Sequence, residues 1–103
     1  MTDPLTQAKI FLKKLDRAGI LVFQAYLFGS YARGNATQHS DIDVCVVSNS
    51  FGNDYIQEMV DLRKISLQVD SRIEPIPLHP RDMNDPLSSL VSEIQKNSVT
   101  ITL

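Results

Sequence analysis

The stretch "SDIDVCVV", residues 40–47, sets two carboxylates at the head of an apolar run. Residues i and i+2 of a strand share a face, so Asp41 and Asp43 point together, roughly 7 Å apart along the chain. Two ionised carboxylates this close repel, and burying them is costly unless a cation lies between them. Their hard oxygens suit Mg2+, which takes one or two carboxylates and completes its octahedron with water and substrate phosphates. Solvated acids in a turn would share this spacing, so the pair alone leaves both readings open.

Residues upstream shift the balance. In "YLFGSYARG", Gly29 and Ser30 follow an apolar segment directly. A glycine lets backbone approach a bulky anion with no Cβ in the way. Ser30 is placed to cap a following helix, where its hydroxyl and the nearby N–H groups form an anion site. Arg33, three residues on, adds a fork of donors for phosphate. Joined to Asp41 and Asp43, these residues supply both halves of a metal–triphosphate site.

The elements that must position these groups alternate between helix and strand. Asp3-Pro4 reads as an N-cap with proline in the first turn. Leu5, Ala8, Phe11, Leu12 and Leu15 recur at helical spacing, and Gly19 is a stop. The segment "ILVFQAYLF", residues 20–28, predicts a strand buried on both faces. A short turn or helix from Ser30 leads to a second strand, Ile42 to Val47. After the loop "SNSFGND", a helix is predicted over residues 53–67, with Ile56, Met59 and Val60 on one stripe. "SRIEPIPL", residues 71–78, is a third strand. Its Pro75 and Pro77 lack N–H donors toward the same side, so it belongs at the edge of a sheet, with the donors of residues 74, 76 and 78 turned to its neighbour. Asp85-Pro86 repeats the cap-and-proline start before an apolar face of Leu87, Leu90, Val91 and Ile94. "SVTITL" closes the chain as a short strand. The expected fold is α/β: one domain over residues 1–103, a mixed sheet of about four strands flanked by helices.

Composition excludes several classes. The 103 residues carry a net charge of −2 with 43% hydrophobic residues, which suits a packed core and not a nonspecific nucleic-acid surface. No apolar run approaches the ~20 residues of a membrane span, and the start lacks the order of a signal peptide. The lone Cys45 forms no internal disulfide. These features predict a soluble protein of a reducing compartment, the cytoplasm. A chain of this size leaves little room for a domain that grips a large acceptor.

Gly-Ser, ten residues and Asp-x-Asp, all between two strands, resemble the signature of the nucleotidyltransferase superfamily that shares the DNA polymerase β catalytic fold. "GSYARG" with "SDID" is similar to its minimal nucleotidyltransferase (MNT) branch, and the similarity runs over essentially the whole chain. The resemblance implies transfer of a nucleotide from a triphosphate to an acceptor hydroxyl, with two Mg2+ ions as cofactors and ATP as substrate. It carries the family's third acidic ligand onto Glu74, the one carboxylate between Ile73 and Leu78, where aspartate is commoner. Glu74 would otherwise be an edge-strand charge that discourages sheet association. Asp41, Asp43 and Glu74 are thus the expected catalytic and metal residues, and Gly29, Ser30 and Arg33 the expected nucleotide-binding ones. Relatives of this branch pair with HEPN ribonuclease toxins, which implies an antitoxin that adds AMP to a tyrosine of such a partner. A non-catalytic toxin-binding module and a homodimeric small-molecule nucleotidyltransferase remain alternatives.

Other residues read as structural. His39 is a polar turn residue, and His79 has no spaced partner for zinc. Cys45 packs inward, Tyr31 packs its helix turn, and Lys13, Lys14 and Arg17 suit a helix C-terminus.

Overall fold

Helix α1 (Pro4–Arg17) starts where the Asp3 carboxylate accepts from the Thr6 N–H at 3.1 Å, with Pro4 in the first turn. The computed structural model describes residues 3–102. Strand β1 (Gln24–Phe28) runs into the short helix α2 (Ser30–Arg33), followed by strand β2 (Ile42–Val47). Helix α3 (Tyr55–Ser66) returns the chain to strand β3 (Ile73–Leu78). A 3-10 turn (Pro80–Asn84), helix α4 (Ser89–Lys96) and the two-residue strand β4 (Val99–Thr100) complete the order.

The four strands form one mixed sheet in the order β3-β2-β1-β4. β1 is antiparallel to β2 and β4, while β2 and β3 are parallel. β3 is an edge strand, as its two prolines require. The Leu78 carbonyl accepts from Ser48 N–H on the β2 side, in keeping with even-numbered residues of β3 turning their backbone groups inward.

Alternation along the strands makes two unequal faces. Ala25, Leu27, Ile42, Val44, Val46 and Ile73 point to one side, where they pack with Phe11, Leu12 and Leu15 of α1 and Leu62 of α3. Phe28, Cys45 and Val47 point to the other, beneath Ile94 and Leu90 of α4. The second layer is thinner, and it is the side on which Asp43 and Glu74 emerge. Burial pushes the Cys45 thiol up to about 12, so it behaves as a small apolar side chain.

Three sequence expectations require correction. Residues 20–23 are not part of β1, and alternation there leaves Leu21 73% and Phe23 64% exposed while Ile20 and Val22 pack inward. The segment is therefore not buried on both faces. In α3 the buried positions are Leu62 and Ser66. Ile56 is 72% exposed, Val60 is exposed and Met59 is half-buried, so that stripe does not seat the helix. Finally, Asp85-Pro86 does not start α4. The Asp85 side chain accepts from Leu87 N–H at 2.9 Å in a local turn, and Ser88 becomes the helix cap by accepting from Val91 N–H at 3.1 Å. Leu87 is left outside the packed face, 92% exposed.

Candidate active site

Strand register brings the predicted site together at one end of the sheet. Phe28 of β1 lies opposite Asp43 of β2, and Asp43 lies beside Glu74 of β3. In-register neighbours of adjacent strands share a face, so Asp43 and Glu74 leave the sheet side by side. Asp41 is exposed just before β2.

Gly29 follows Phe28 directly and sits under the Asp43 carboxylate. Its φ is +74°, in the region that L side chains rarely adopt. A Cβ built there would stand 2.1 Å from Asp43 Oδ2 and 3.1 Å from its Cγ. Two independent constraints thus demand glycine. The sequence reading gave the helix cap to Ser30, but Gly29 occupies the cap position and Ser30 is the first residue of α2. Arg33 N–H donates to the Gly29 carbonyl at 3.0 Å. The amides before it open the helix and, by geometry, have no intrahelical acceptor.

The loop between the glycine turn and the aspartates is braced from below. Tyr31 donates its hydroxyl to the Thr37 carbonyl at 3.1 Å, and Arg72 donates to the same hydroxyl oxygen at 3.4 Å. Thr37 N–H donates to the Ser40 hydroxyl at 2.9 Å, and Ser40 N–H donates back to the Thr37 carbonyl at 3.1 Å. Tyr31 is therefore a strut that fixes the chain just before Asp41. His39 lies on this exposed turn, and His79 caps the 3-10 turn by accepting from Arg81 N–H.

The electrostatics of the row are unfavourable to an isolated chain. Burial pushes the Asp43 carboxyl above its ordinary value, and the charges of Asp41, Glu74 and Glu93 raise it further. Arg33 opposes them. Three carboxylates therefore act on Asp43 in one direction, and among the described residues Arg33 acts the other way. Such a donor set fits a divalent metal ion, because a cation at Asp43 would relieve both the desolvation and the repulsion.

The predicted ligands do not all converge. Arg33 is ion-paired with Glu93 of α4, and Glu74 Oε1 lies 3.3 Å from an Arg63 nitrogen. Among the described residues, no group of three or more His, Cys, Asp or Glu side chains is arranged to hold a metal ion. The Glu74 carboxylate is engaged by Arg63. Sequence reasoning passed over Arg63 and Glu93. Arg63 in the last turn of α3 looks like an ordinary charge at a helix end, and only the packing of α3 beside β3 reveals its reach. A cleft of about 300 Å3 opens at the other end of β1, lined by residues such as Val22, Phe23 and Thr100, far from the acidic row. No helix among the described residues is long and apolar enough to cross a membrane.

A glycine turn pressed against a strand aspartate, with a second acid on the parallel neighbour, defines the class to which the chain belongs: it is a member of the nucleotidyltransferase domain family, matched over residues 7–98. Among particular proteins, it is 37% identical over 79 residues to the provisionally named protein adenylyltransferase MJ1305 of Methanocaldococcus jannaschii. That match covers 72% of this chain and 54% of the relative, so the chain spans about half the relative's length. Two solved structures share the fold. One is a toxin–antitoxin crystallised with AMP-PNP, at a TM-score of 0.64 and 24% identity, covering 90% of this chain and 71% of that one. The other is a variant of the MntA–HpeT toxin–antitoxin, at 0.61 and 26% identity, covering 92% and 71%. The α/β fold with a four-stranded mixed sheet is the expected one.

Proposed function

We propose that the chain transfers AMP from ATP to a tyrosine hydroxyl of a HEPN-family toxin, and so acts as an antitoxin. The observation that supports the nucleotidyl-transfer part is the close approach of Gly29 to Asp43, which sets the glycine turn directly against a strand carboxylate. The choice of ATP and of a toxin partner is supported by the similarity to a toxin–antitoxin crystallised with AMP-PNP and to a protein named as an adenylyltransferase.

Asp41 and Asp43 would hold Mg2+, with Glu74 as a further ligand. Bound Mg2+ would supply charge neutralisation of the triphosphate and a lowered pKa for the acceptor hydroxyl. The chain's own groups do the rest. Ser30 and the amides after Gly29 bind the outer phosphates, where negative charge gathers as pyrophosphate leaves. Arg33 adds charge at the same phosphates once it releases Glu93. Glu74, on the strand beside Asp43, takes the proton from the attacking hydroxyl once it leaves Arg63. Tyr31 and its hydrogen bonds keep the Asp41 loop in register with the turn.

Incubation of the protein with labelled ATP, Mg2+ and a HEPN partner tests this reading. The wild type is expected to label the partner with one AMP. The Asp41→Asn/Asp43→Asn double variant should lose the labelling by on the order of 10³-fold or more, the scale of the several kcal/mol a metal contributes. Binding without labelling by both proteins would reduce the chain to a masking module. Pyrophosphate release with small acceptors alone would point to a small-molecule enzyme instead.

A further inference from the structure

We propose that Arg63 is a positioning residue that draws the Glu74 carboxylate away from Asp43 and yields it when a divalent cation binds. The inference rests on the metal-dependent reading above and adds a residue to it. Arg63 belongs to α3, which packs on the far face of the sheet with Leu62 in its core. Glu74 emerges on the opposite face, next to Asp43. The guanidinium therefore reaches around the open edge of β3 to meet it.

Its anchorage there does not depend on Glu74. Arg63 donates to the Ile73 carbonyl and, at 3.4 Å, to the Ser71 carbonyl. Ile73, an odd-numbered residue of β3, turns its carbonyl toward the exposed edge, and Ser71 lies in the turn just before the strand. The guanidinium stays in place whether or not the carboxylate is on it, while the Glu74 arm is free to move. The arm has two destinations: Arg63 on one side, or the space shared with Asp41 and Asp43 on the other. Repulsion from those two acids favours Arg63 when no cation is present, and a cation reverses the preference.

The magnitude suits a switch. Both side chains are part-exposed, at 37% for Arg63 and 46% for Glu74, and exposed pairs of this kind contribute little. Breaking the pair should strengthen metal binding by only about two- to five-fold. A buried pair would have locked the ligand out.

Binding of Mn2+ to the full chain, followed by the electron paramagnetic resonance of the free ion at low salt, reads this directly. Arg63→Gln is expected to bind Mn2+ about two- to five-fold more tightly than wild type, and Arg63→Lys should restore most of the wild-type affinity. In a Glu74→Gln background the Arg63→Gln change should have no effect. Unchanged or weaker binding by Arg63→Gln, or the same gain in the Glu74→Gln background, overturns the proposal. Should Arg63→Gln fail to fold, the 15N resonance of the Arg63 side chain in unmutated protein carries the test. It should shift on Mg2+ titration, and stay still in Glu74→Gln. No shift at saturating Mg2+ overturns the inference while leaving the metal site standing. No Mn2+ or Mg2+ binding by wild type overturns both.

Discussion

Asp43 and Asp70 are the same side chain in opposite circumstances. Asp70, just before β3, receives the Arg72 side chain at 2.8, 3.1 and 3.3 Å, the Arg72 backbone N–H at 2.9 Å, and Gln7 at 3.4 Å. The Arg72 hydrogen bonds hold its carboxyl down at about 2. Asp43 is half-buried among other acids and its carboxyl is raised. One carboxylate is fully satisfied by the chain that carries it, and its work is to tie α1 to the start of β3. The other is left in want of a positive partner by every neighbour but Arg33. The fold offsets the first charge completely and leaves the second opposed by its acidic neighbours.

The largest test of this contrast after the double aspartate variant is at the glycine. Gly29→Ala must place a methyl against Asp43 Oδ2 and hold a strained φ. It should cost about 2–3 kcal/mol of stability in urea unfolding and abolish nucleotidyl transfer. Gly34→Ala is the control: its φ is +79° but nothing lies within 4 Å of the added methyl. It should cost only about 1 kcal/mol, and activity should persist. Equal losses at both positions would show that conformation alone, not contact with Asp43, dictates Gly29.

The paired acid comes next. Asp70's carboxyl lies below its unfolded value of 3.8, so its ionised form stabilises the fold above that pH. Asp70→Asn should lose on the order of 1–2 kcal/mol at neutral pH. The difference should shrink as pH falls through 3.8 toward 2, visible in melting temperatures across that range. The smallest effect has the opposite sign. Asp43's carboxyl lies above 3.8, so ionising it costs stability, and the cost builds as pH rises from 3.8 through its folded value. Metal-free Asp43→Asn should therefore melt at or slightly above wild type at pH 7, with the gain vanishing in acid. Millimolar Mg2+ should raise the melting temperature of wild type and not of this variant.

The sequence made some of this legible because local rules governed it. Period-two spacing put Asp43 on the face opposite Ile42 and Val44, and two missing N–H groups put β3 at an edge. The glycine turn was recognisable because its conformation excludes other residues. Where tertiary packing chose among equally apolar options, the pattern misled. Ile56 and Val60 are as hydrophobic as Leu62, but only the stripe through Leu62 meets the sheet. Asp85-Pro86 carries the chemistry of a helix start, yet the 3-10 turn before it displaces the helix to Ser88. The partners of Glu74 and Arg33 were illegible for a different reason. Arg63–Glu74 joins opposite faces around a strand edge, and Arg33–Glu93 spans 60 positions; no periodicity encodes either contact.

Pro75 and Pro77 have a further role as a safeguard on assembly. If β3 slid by one residue against β2, every side chain would change sides, and the acid at position 74 would be carried into the oily layer under α1 and α3. That slip would also turn both imino rings toward β2, where neither could donate to the ladder. The misaligned sheet would thus forfeit two bonds before burying a charge, and the two rings help ensure that the molecule closes with its third acid facing outward.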